Sequence, residues 1–180
     1  MTYLKQIWNG PAENPKPIIY LGGVMPVNEP VLDVAVRIIR YYCVSYYYLT
    51  ECTSQQRYIP LFKKHGVRAF LDSGAFSYQM HALKKKQMLD QKTAIRLIDQ
   101  YVDFVFAASP LKYDFIVTFD YARDAATTEW ATTRIEKRGL HPLPVHHFGS
   151  PITALRRLVD KYPMIGLGGL VGTGPRRDAF

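Results

Sequence analysis

The stretch Arg68-Ala-Phe-Leu-Asp-Ser-Gly-Ala-Phe-Ser-Tyr78 decides the fold of this chain. Its apolar part, Ala69 to Leu71, is typical of a buried parallel strand. The strand pattern ends at Asp72-Ser-Gly74, where the chain turns and leaves a carboxylate at the carboxyl end of the strand. Ligands bind at that end in open α/β sheets and in α/β barrels. The stretch therefore predicts a pocket for a small molecule or a base, with Asp72 and the aromatic Phe76 at it. The alternative is that Asp72 or Ser73 caps the following helix.

Segments of strand length alternate with helical patterns along the chain. The predicted strands are Pro17–Leu21, Val44–Leu49, 68–72, Asp114–Phe119, Leu143–His146 and Met164–Leu167. The predicted helices lie between these strands, and residues 73–90 are predicted to form a loop. Alternation of this kind is typical of parallel α/β architecture, and both a doubly wound sheet and a barrel fit it.

Length, net charge and cysteine content limit the class of protein. A length of 180 residues favours a single domain over residues 1–180, and the charge of +8 favours a polyanionic partner such as nucleic acid. No apolar run reaches the ~20 residues of a membrane helix, and the start of the chain lacks the layout of a signal peptide. We therefore expect a cytoplasmic protein without a membrane partner. Cys43 and Cys52 are expected to be buried free thiols, because their spacing fits neither a disulfide framework nor a zinc knuckle.

A second carboxylate stands at the end of another predicted strand. Asp120 follows Asp114–Phe119, as Asp72 follows its own apolar run. The carboxyl ends of parallel strands meet at one edge of a sheet, so both side chains are expected there. Two such carboxyl groups can divide acid and base roles when their surroundings separate their pKa values. The alternative is that each carboxylate caps the helix that follows it.

Two further segments contribute candidate site residues. His146 and His147 end a strand, and alternation predicts that only one of them faces the site, where it can donate a hydrogen bond or move a proton. The alternative is a structural hydrogen bond. The segment Gly166-Leu-Gly-Gly-Leu-Val-Gly-Thr-Gly174 allows backbone N–H groups to approach an oxyanion or a base edge. It matches neither a dinucleotide-binding fingerprint nor a phosphate loop with its lysine, and a tight turn without a ligand is the alternative.

A run of basic residues lies within the predicted loop. Lys84, Lys85 and Lys86 are candidates for contact with nucleic-acid phosphates, and a solvated surface is the alternative. The tyrosines around the second strand are interpreted as core and surface cover rather than as platforms for bases.

Four of these segments together resemble the tRNA-guanine transglycosylase (queuine tRNA-ribosyltransferase) family. Leu71-Asp-Ser-Gly-Ala-Phe76 is similar to the family's Asp-Ser-Gly-Gly-Phe-Gln element, and Thr118-Phe-Asp120 to its second Asp. Pro144-Val-His-His-Phe-Gly149 stands where the family has a Gln-Gly strand end, and Ile165–Gly172 is similar to its Gly-Gly-Leu-x-Val-Gly loop. The elements occur in the family's order over residues 68–172, whereas the N-terminal third matches only in its strand–helix layout.

The resemblance implies a fold, an activity and a set of roles. The family is a (β/α)₈ barrel of TIM type that exchanges guanine in a nucleic acid for a 7-deazaguanine base; with about six strands, this chain would form an incomplete barrel. Asp72 would be catalytic and handle protons, and Asp120 would accept hydrogen bonds from the base. The remaining substrate-binding residues would be Ser73, Phe76 stacking on the base, His146 or His147 in place of the family's glutamine, and the backbone of Gly168, Gly169 and Leu170.

The departures from the family pattern also carry expectations. Ala75 replaces a glycine, and Ser77 stands where the family has Gln. The family's covalent nucleophile is an Asp beyond the Gly-Gly-Leu loop, and this chain ends first, so a truncated barrel is expected. The family's zinc site, Cys-x-Cys-x-x-Cys…His, is not in the sequence, so no cofactor is expected. These departures favour the divergent, often phage-encoded branch that modifies DNA rather than tRNA.

The sequence thus predicts a base-exchanging transglycosylase that acts on tRNA or DNA, with oligomerisation left open. One alternative is a non-catalytic module that binds nucleic acid or a base. Another is an unrelated α/β-barrel enzyme that holds a phosphorylated small molecule at its glycine-rich loop.

Overall fold

A computed structural model of the chain describes residues 20, 29–51, 58–107, 112–121 and 124–169. The elements within these ranges follow in chain order: α1 (Glu29–Ile38), β1 (Tyr41–Ser45), α2 (Tyr46–Glu51), α3 (Tyr58–Lys64), β2 (Arg68–Asp72), α4 (Ala75–Lys84), α5 (Gln91–Phe106), β3 (Lys112–Val117), α6 (Ala125–Lys137), β4 (Pro142–Leu143), β5 (Val145–His147), α7 (Ile152–Lys161) and β6 (Gly166–Gly168).

The strands pair in parallel, and neighbours in space are also neighbours in the chain. One sheet has the order β1-β2-β3-β4, and β5 pairs with β6 in a second sheet. Pro144 separates β4 from β5, and its carbonyl oxygen accepts a hydrogen bond of 2.8 Å from Gly166 N–H. The segment 142–147 therefore pairs with β3 through its first half and with β6 through its second half. The predicted α/β class with a parallel sheet is confirmed.

The sheet has a fully buried face and a half-buried face, because side chains alternate along each strand. Tyr42 and Val44 of β1, and Ala69 and Leu71 of β2, are completely buried. They belong to the same core as the inward face of α5, whose buried residues recur at helical spacing: Ala94, Leu97, Ile98, Tyr101, Val102 and Val105. The hydroxyl group of Tyr101 donates a hydrogen bond of 2.8 Å to Val117 O. This contact fixes α5 beneath the end of β3.

The predicted strand Val44–Leu49 is wrong in its bounds. The strand is Tyr41–Ser45, and residues 46–51 form helix α2. Tyrosine is abundant on both sides of this boundary, so propensity does not locate it. The strand ends where its partner ends, because Ser45 is paired with Asp72, the last residue of β2.

The predicted loop over residues 73–90 is also wrong, because Ala75–Lys84 forms helix α4. The helix begins after Gly74, which lies at φ +74° and makes no side-chain cap. The usual start signal, an Asp, Asn, Ser or Thr at the N-cap, is thus missing. Only Ala75 is fully buried in this helix, so the apolar periodicity that would predict it is weak.

The sequence predicts that Asp90 caps a helix and that another helix begins at about Asp124, and the structure confirms both starts. Asp90 caps α5 by accepting a hydrogen bond of 2.8 Å from Thr93 N–H, and Asp124 caps α6 through Ala126 and Thr127. For α7 the apolar spacing predicts an inward face of Ile152, Leu155, Leu158 and Val159. This prediction is wrong in part, because Ile152 and Val159 are each 59% exposed. Helix α7 packs against β5 and is joined to α6 by the ion pairs Arg157–Glu129 and Lys161–Glu136, and these contacts leave that face exposed.

Some predictions concern residues outside the described ranges. These are the strand Pro17–Leu21 apart from Tyr20, and Cys52. Cys43 is a half-buried free thiol. No helix in the described part of the chain is long and apolar enough to cross a membrane.

Candidate functional site

The carboxyl-end edge of the strands, called the rim below, begins with a rigid turn after β2. Gly74 N–H donates a hydrogen bond of 2.9 Å to Asp72 Oδ2, and the fully buried Ser73 accepts one of 3.4 Å from Ala75 N–H. A β-carbon at Gly74 would lie 2.5 Å from Tyr47 Cβ, so only glycine allows the turn to pack against α2. The Asp72 carboxylate therefore holds the turn at Gly74, the N-cap residue, rather than capping the first turn of α4.

Burial raises the pKa of Asp72 above its usual value. Three neighbouring groups act in the opposite direction and lower this pKa: Gly74 N–H, the Ser45 hydroxyl and Ser73 N–H. Ser45 is paired with Asp72 across the sheet, and its buried hydroxyl oxygen has no hydrogen bond of good geometry among the described residues. Asp72 thus holds a proton more readily than an exposed aspartate does.

Asp120 is the second carboxyl group at the rim, three residues beyond the end of β3. Burial, and then the negative charge of Asp72, raise the pKa of Asp120 to about 7. Gln79 Nε2 donates a hydrogen bond of 3.3 Å to the backbone oxygen of Asp120, so this contact does not occupy the side-chain carboxylate. The alternative that Asp120 caps the next helix is wrong, because Asp124 caps α6.

The two rim carboxyl groups differ from the structural carboxylate of Asp114. Asp114, at the opposite end of β3, accepts hydrogen bonds from Arg68 Nε at 2.7 Å and from the Tyr20 hydroxyl at 2.9 Å. Within the described ranges, no Lys or Arg forms an ion pair with Asp72 or Asp120. Buried carboxyl groups without a cation are costly to the fold and are characteristic of functional sites.

The backbone of β6 lies directly against the Asp120 carboxylate. A β-carbon at Gly168 would be 2.6 Å from Asp120 Oδ2 and 2.9 Å from Val145 Cγ1. At Gly169, where φ is +77°, a β-carbon would be 2.3 Å from Cε1 of His147. The glycines thus allow the backbone to approach the carboxylate and the imidazole ring.

His147, rather than His146, shares a face with the Asp120 carboxylate. Side chains alternate along a strand, so His147 lies on the same side of β5 as Val145. The Val145 side chain and Asp120 Oδ2 both lie close to Gly168, so this side of β5 faces the carboxylate. His147 Nδ1 lies 2.9 Å from Phe148 O, and a proton on Nδ1 would leave Nε2 as an acceptor. His146 is paired with Leu167, and both histidines reach a cleft between α6 and α7 that includes Thr128, Thr132 and Ala154.

The other predicted site residues lie on or just after α4, or outside the described ranges. Phe76, the second residue of α4, is 52% exposed. Lys84, Lys85 and Lys86 are exposed at the other end of the helix, about 12 Å along its axis from Phe76. Leu170 lies outside the described residues. The structure therefore brings together Asp72, Asp120, His147, Gly168 and Gly169, and leaves the lysines apart from them.

Three residues at the rim were not predicted from the sequence as parts of the site. Gln79 contacts the backbone of Asp120, Ser45 lies beside Asp72, and Tyr47 packs on Gly74. A helical interpretation of residues 75–84 would have placed Gln79 one turn after Ala75, facing the rim. The other two depend on where β1 ends, for which the sequence carries no local signal.

Comparisons of the chain with protein-family models, with curated proteins and with solved structures found no match. The described residues also contain no group of three His, Cys, Asp or Glu side chains placed to hold a metal ion. Function is therefore argued from the two carboxyl groups and their neighbours at the rim.

Proposed function

We propose that this chain binds guanine and 7-deazaguanine bases at the rim and acts as a base-exchanging transglycosylase on tRNA or DNA. One observation carries the proposal: the half-buried Asp120 carboxyl group, whose pKa the charge of Asp72 helps to raise, lies against the backbone of Gly168. This combination supplies a hydrogen-bond acceptor, a second carboxyl group for proton transfer and backbone polar groups within one small site.

Asp120 would recognise the base through hydrogen bonds. Guanine presents two neighbouring donors, its N1–H and its 2-amino group, and a carboxylate accepts two parallel hydrogen bonds of this kind. The peptide groups of Gly168 and Gly169 would lie near the guanine carbonyl oxygen. Because the pKa of Asp120 is about 7, its carboxyl group ionises readily near neutral pH when such donors arrive.

Asp72 would move the proton that the exchange requires. Once the donors of the base hold Asp120 ionised, its charge would favour a proton on Asp72. Breaking the bond between the sugar C1′ and base N9 leaves the electron pair on the base and an oxocarbenium ion at the sugar; Asp72 would give its proton to the departing guanine, and its carboxylate would then offset the positive charge at C1′. The incoming base would return a proton to Asp72 as its N9 forms the new bond to C1′. The exchange is neither an oxidation nor a reduction, so its balance needs no redox partner.

The strand order supports a (β/α) barrel of TIM type as the setting for this site. A doubly wound sheet reverses its strand order near the middle, whereas every pair of strands in the described residues joins strands that follow each other in the chain: β1–β2, β2–β3, β3–β4 and β5–β6. Active sites of such barrels lie at the carboxyl ends of their strands. Asp72, Asp120 and His147 occupy that position in β2, after β3 and in β5.

The geometry argues against the phosphate-binding alternative. A phosphate at the glycine-rich loop would meet the Asp120 carboxylate, whose Oδ2 lies against Gly168. Two negative charges at that separation repel each other strongly in a partly buried site. A non-catalytic binding module would use the same base pocket. The two hypotheses differ in the role of Asp72, which transfers a proton only in the enzyme.

Thermal unfolding in the presence of ligands tests the pocket. Guanine, a 7-deazaguanine base and inorganic phosphate are each added in excess; a ligand at 100 times its Kd stabilises the folded state by about 2.7 kcal/mol. We expect a shift with both bases, its loss in Asp120→Asn and its retention in Asp160→Asn, an exposed aspartate on α7. A shift with phosphate alone, or none with any base, would contradict the proposal.

Exchange of labelled guanine in tRNA and in DNA tests the reaction. We expect Asp72→Asn to retain the base-induced thermal shift and to lose exchange. A protein that binds the bases but exchanges none of them in either nucleic acid would instead be the binding module.

A further inference from the structure

Helix α4 contacts both strand ends that carry the rim carboxyl groups. It starts at the turn held by Asp72, and Gln79 in its second turn contacts the backbone of Asp120. After the helix, Leu89 O accepts a hydrogen bond of 2.8 Å from the Tyr121 hydroxyl, so the chain returns to the residue after Asp120. Residues 75–89 therefore leave the end of β2 and return to the end of β3, beside the site, before α5 begins.

The two faces of α4 have different surroundings. Tyr78 and His81 face α2: the Tyr78 ring lies 4.8 Å from that of Tyr47 in an edge arrangement, and the Tyr47 hydroxyl lies 3.3 Å from His81 Nδ1. Met80 and Leu83 occupy another face, together with Phe76, and are 38% and 53% exposed. Met88, just after the helix, is 61% exposed. An apolar stripe therefore faces solvent beside the site.

Basic side chains directly adjoin this stripe. Lys84, Lys85 and Lys86 are all exposed. Lys86 has φ +56°, in the left-handed region that glycine adopts without cost and that other residues rarely adopt.

We propose that the rim surface, defined as Met80, Leu83, Lys84–Lys86 and Met88, binds the nucleic-acid strand on either side of the base that enters the site. This inference rests on the proposed function. An enzyme that acts on a base must take it out of its stack, and the neighbouring bases then lose a stacking partner. Apolar side chains such as Leu and Met insert between unstacked bases, while lysines neutralise the phosphates.

The combination of charge and apolar exposure favours an unstacked nucleic-acid strand over other occupants. Three lysines complement a polyanion, and the apolar stripe would gain little from the charged backbone of an intact duplex. Helix α4 begins at the turn held by Asp72 and contacts the Asp120 backbone through Gln79, so the rim surface lies toward the far end of a helix that touches the base site.

Fluorescence anisotropy with a labelled oligonucleotide that contains an unpaired guanosine, and with its fully paired duplex, tests the inference over a series of salt concentrations. The triple variant Lys84→Gln, Lys85→Gln, Lys86→Gln is expected to reduce the salt slope by about 2, because each single-strand phosphate contact contributes about 0.7. Its control removes three exposed lysines elsewhere: Lys63→Gln, Lys64→Gln and Lys137→Gln.

The apolar stripe has its own variants. Met80→Ser with Leu83→Ser is expected to weaken binding of the unpaired oligonucleotide roughly tenfold, as for loss of one base contact, and to affect the duplex less. Ile152→Ser with Val159→Ser, which are 59% exposed on α7, is the control. Lys86→Gly relieves the backbone at φ +56°, so its loss of affinity would not come from a damaged fold.

Equal effects of the rim and control variants would overturn the inference, because binding would then follow net charge alone. Absence of oligonucleotide binding by the parent chain would overturn it as well. Binding to anionic lipid vesicles that depends on the same residues, without oligonucleotide binding, would assign the surface to a membrane instead. The guanine-induced thermal shift of the parent is recorded in parallel. If guanine produces no thermal shift but the oligonucleotide binds as expected, the proposed base-exchange function would be wrong and the rim surface would still be a nucleic-acid binding site.

Discussion

The carboxylate of Asp120 lies against the α-carbon of Gly168, so that a β-carbon there would stand 2.6 Å from Asp120 Oδ2. The two residues are distant in the chain but meet at the rim. No side chain other than hydrogen fits between them, so the position of the carboxylate depends on the glycine. This dependence gives the first prediction.

Gly168→Ala should displace the Asp120 carboxylate and abolish most of the base-induced thermal shift. Gly166→Ala is the matched control, because its β-carbon would approach nothing closer than 3.4 Å. Thermal unfolding with and without guanine measures both. Equal base binding by the two variants would show that the carboxylate does not read the base from this position.

Asp120→Asn should stabilise the fold at high pH. The pKa of Asp120 is about 7 in the folded chain and near 4 when the chain is unfolded. Between these values the folded state holds the proton and the unfolded state releases it, so the free energy of unfolding falls as pH rises and levels off above 7. We expect the free energy of unfolding of the variant to exceed that of the parent by about 2–4 kcal/mol at pH 8, with little difference at pH 4. Urea denaturation across this range measures it; a gap that does not vary with pH would contradict the assignment.

The affinity for guanine should rise with pH and level off above about 7. The donors on the base bind the ionised Asp120 carboxylate, and below its pKa of about 7 only a fraction of the chain carries that charge. Each unit below the pKa should lower the affinity roughly tenfold. Isothermal titration calorimetry from pH 5.5 to 8.5 tests this, and affinity that falls as pH rises would indicate that a protonated Asp120 donates to the base.

Gly74→Ala should destabilise the fold more than Gly139→Ala. Both glycines have positive φ, +74° and +77°, so both substitutions carry the same backbone cost of about 1–2 kcal/mol. A β-carbon at Gly74 would also lie 2.5 Å from Tyr47 Cβ, whereas one at Gly139 would meet nothing within 4 Å. Chemical denaturation of the two variants separates strain from packing. Equal losses would show that the turn can move away from α2.

Tyr101→Phe should cost about 1–3 kcal/mol of stability, because the buried Val117 carbonyl loses the hydroxyl that donates to it. Tyr42→Phe is the control. Its buried hydroxyl has no hydrogen-bond partner within the described part of the chain, so its removal should be neutral or stabilising. Urea denaturation compares them, and a larger loss at Tyr42 would mean that a water or an undescribed residue satisfies that hydroxyl.

Local sequence determined the alternation of elements and several of their ends. Asp90 and Asp124 were identifiable as helix caps because a cap bonds to backbone groups within the next three residues. The apolar run before Asp72 likewise indicated a strand with a carboxylate at its end. Local signals failed where a contact distant in sequence sets the boundary, as at Ser45, or where a glycine starts a helix, as at α4.

The sequence by itself therefore determined a parallel α/β chain with carboxylates at strand ends, because apolar period, strand length and capping act over a few residues. The tertiary structure alone decided that burial and the charge of Asp72 raise the pKa of Asp120, that Gly168 lies against its carboxylate and that α4 contacts the Asp120 backbone. Those facts arise from burial and from contacts across tens of residues. Such contacts exist only once the strands have paired and excluded water from between them.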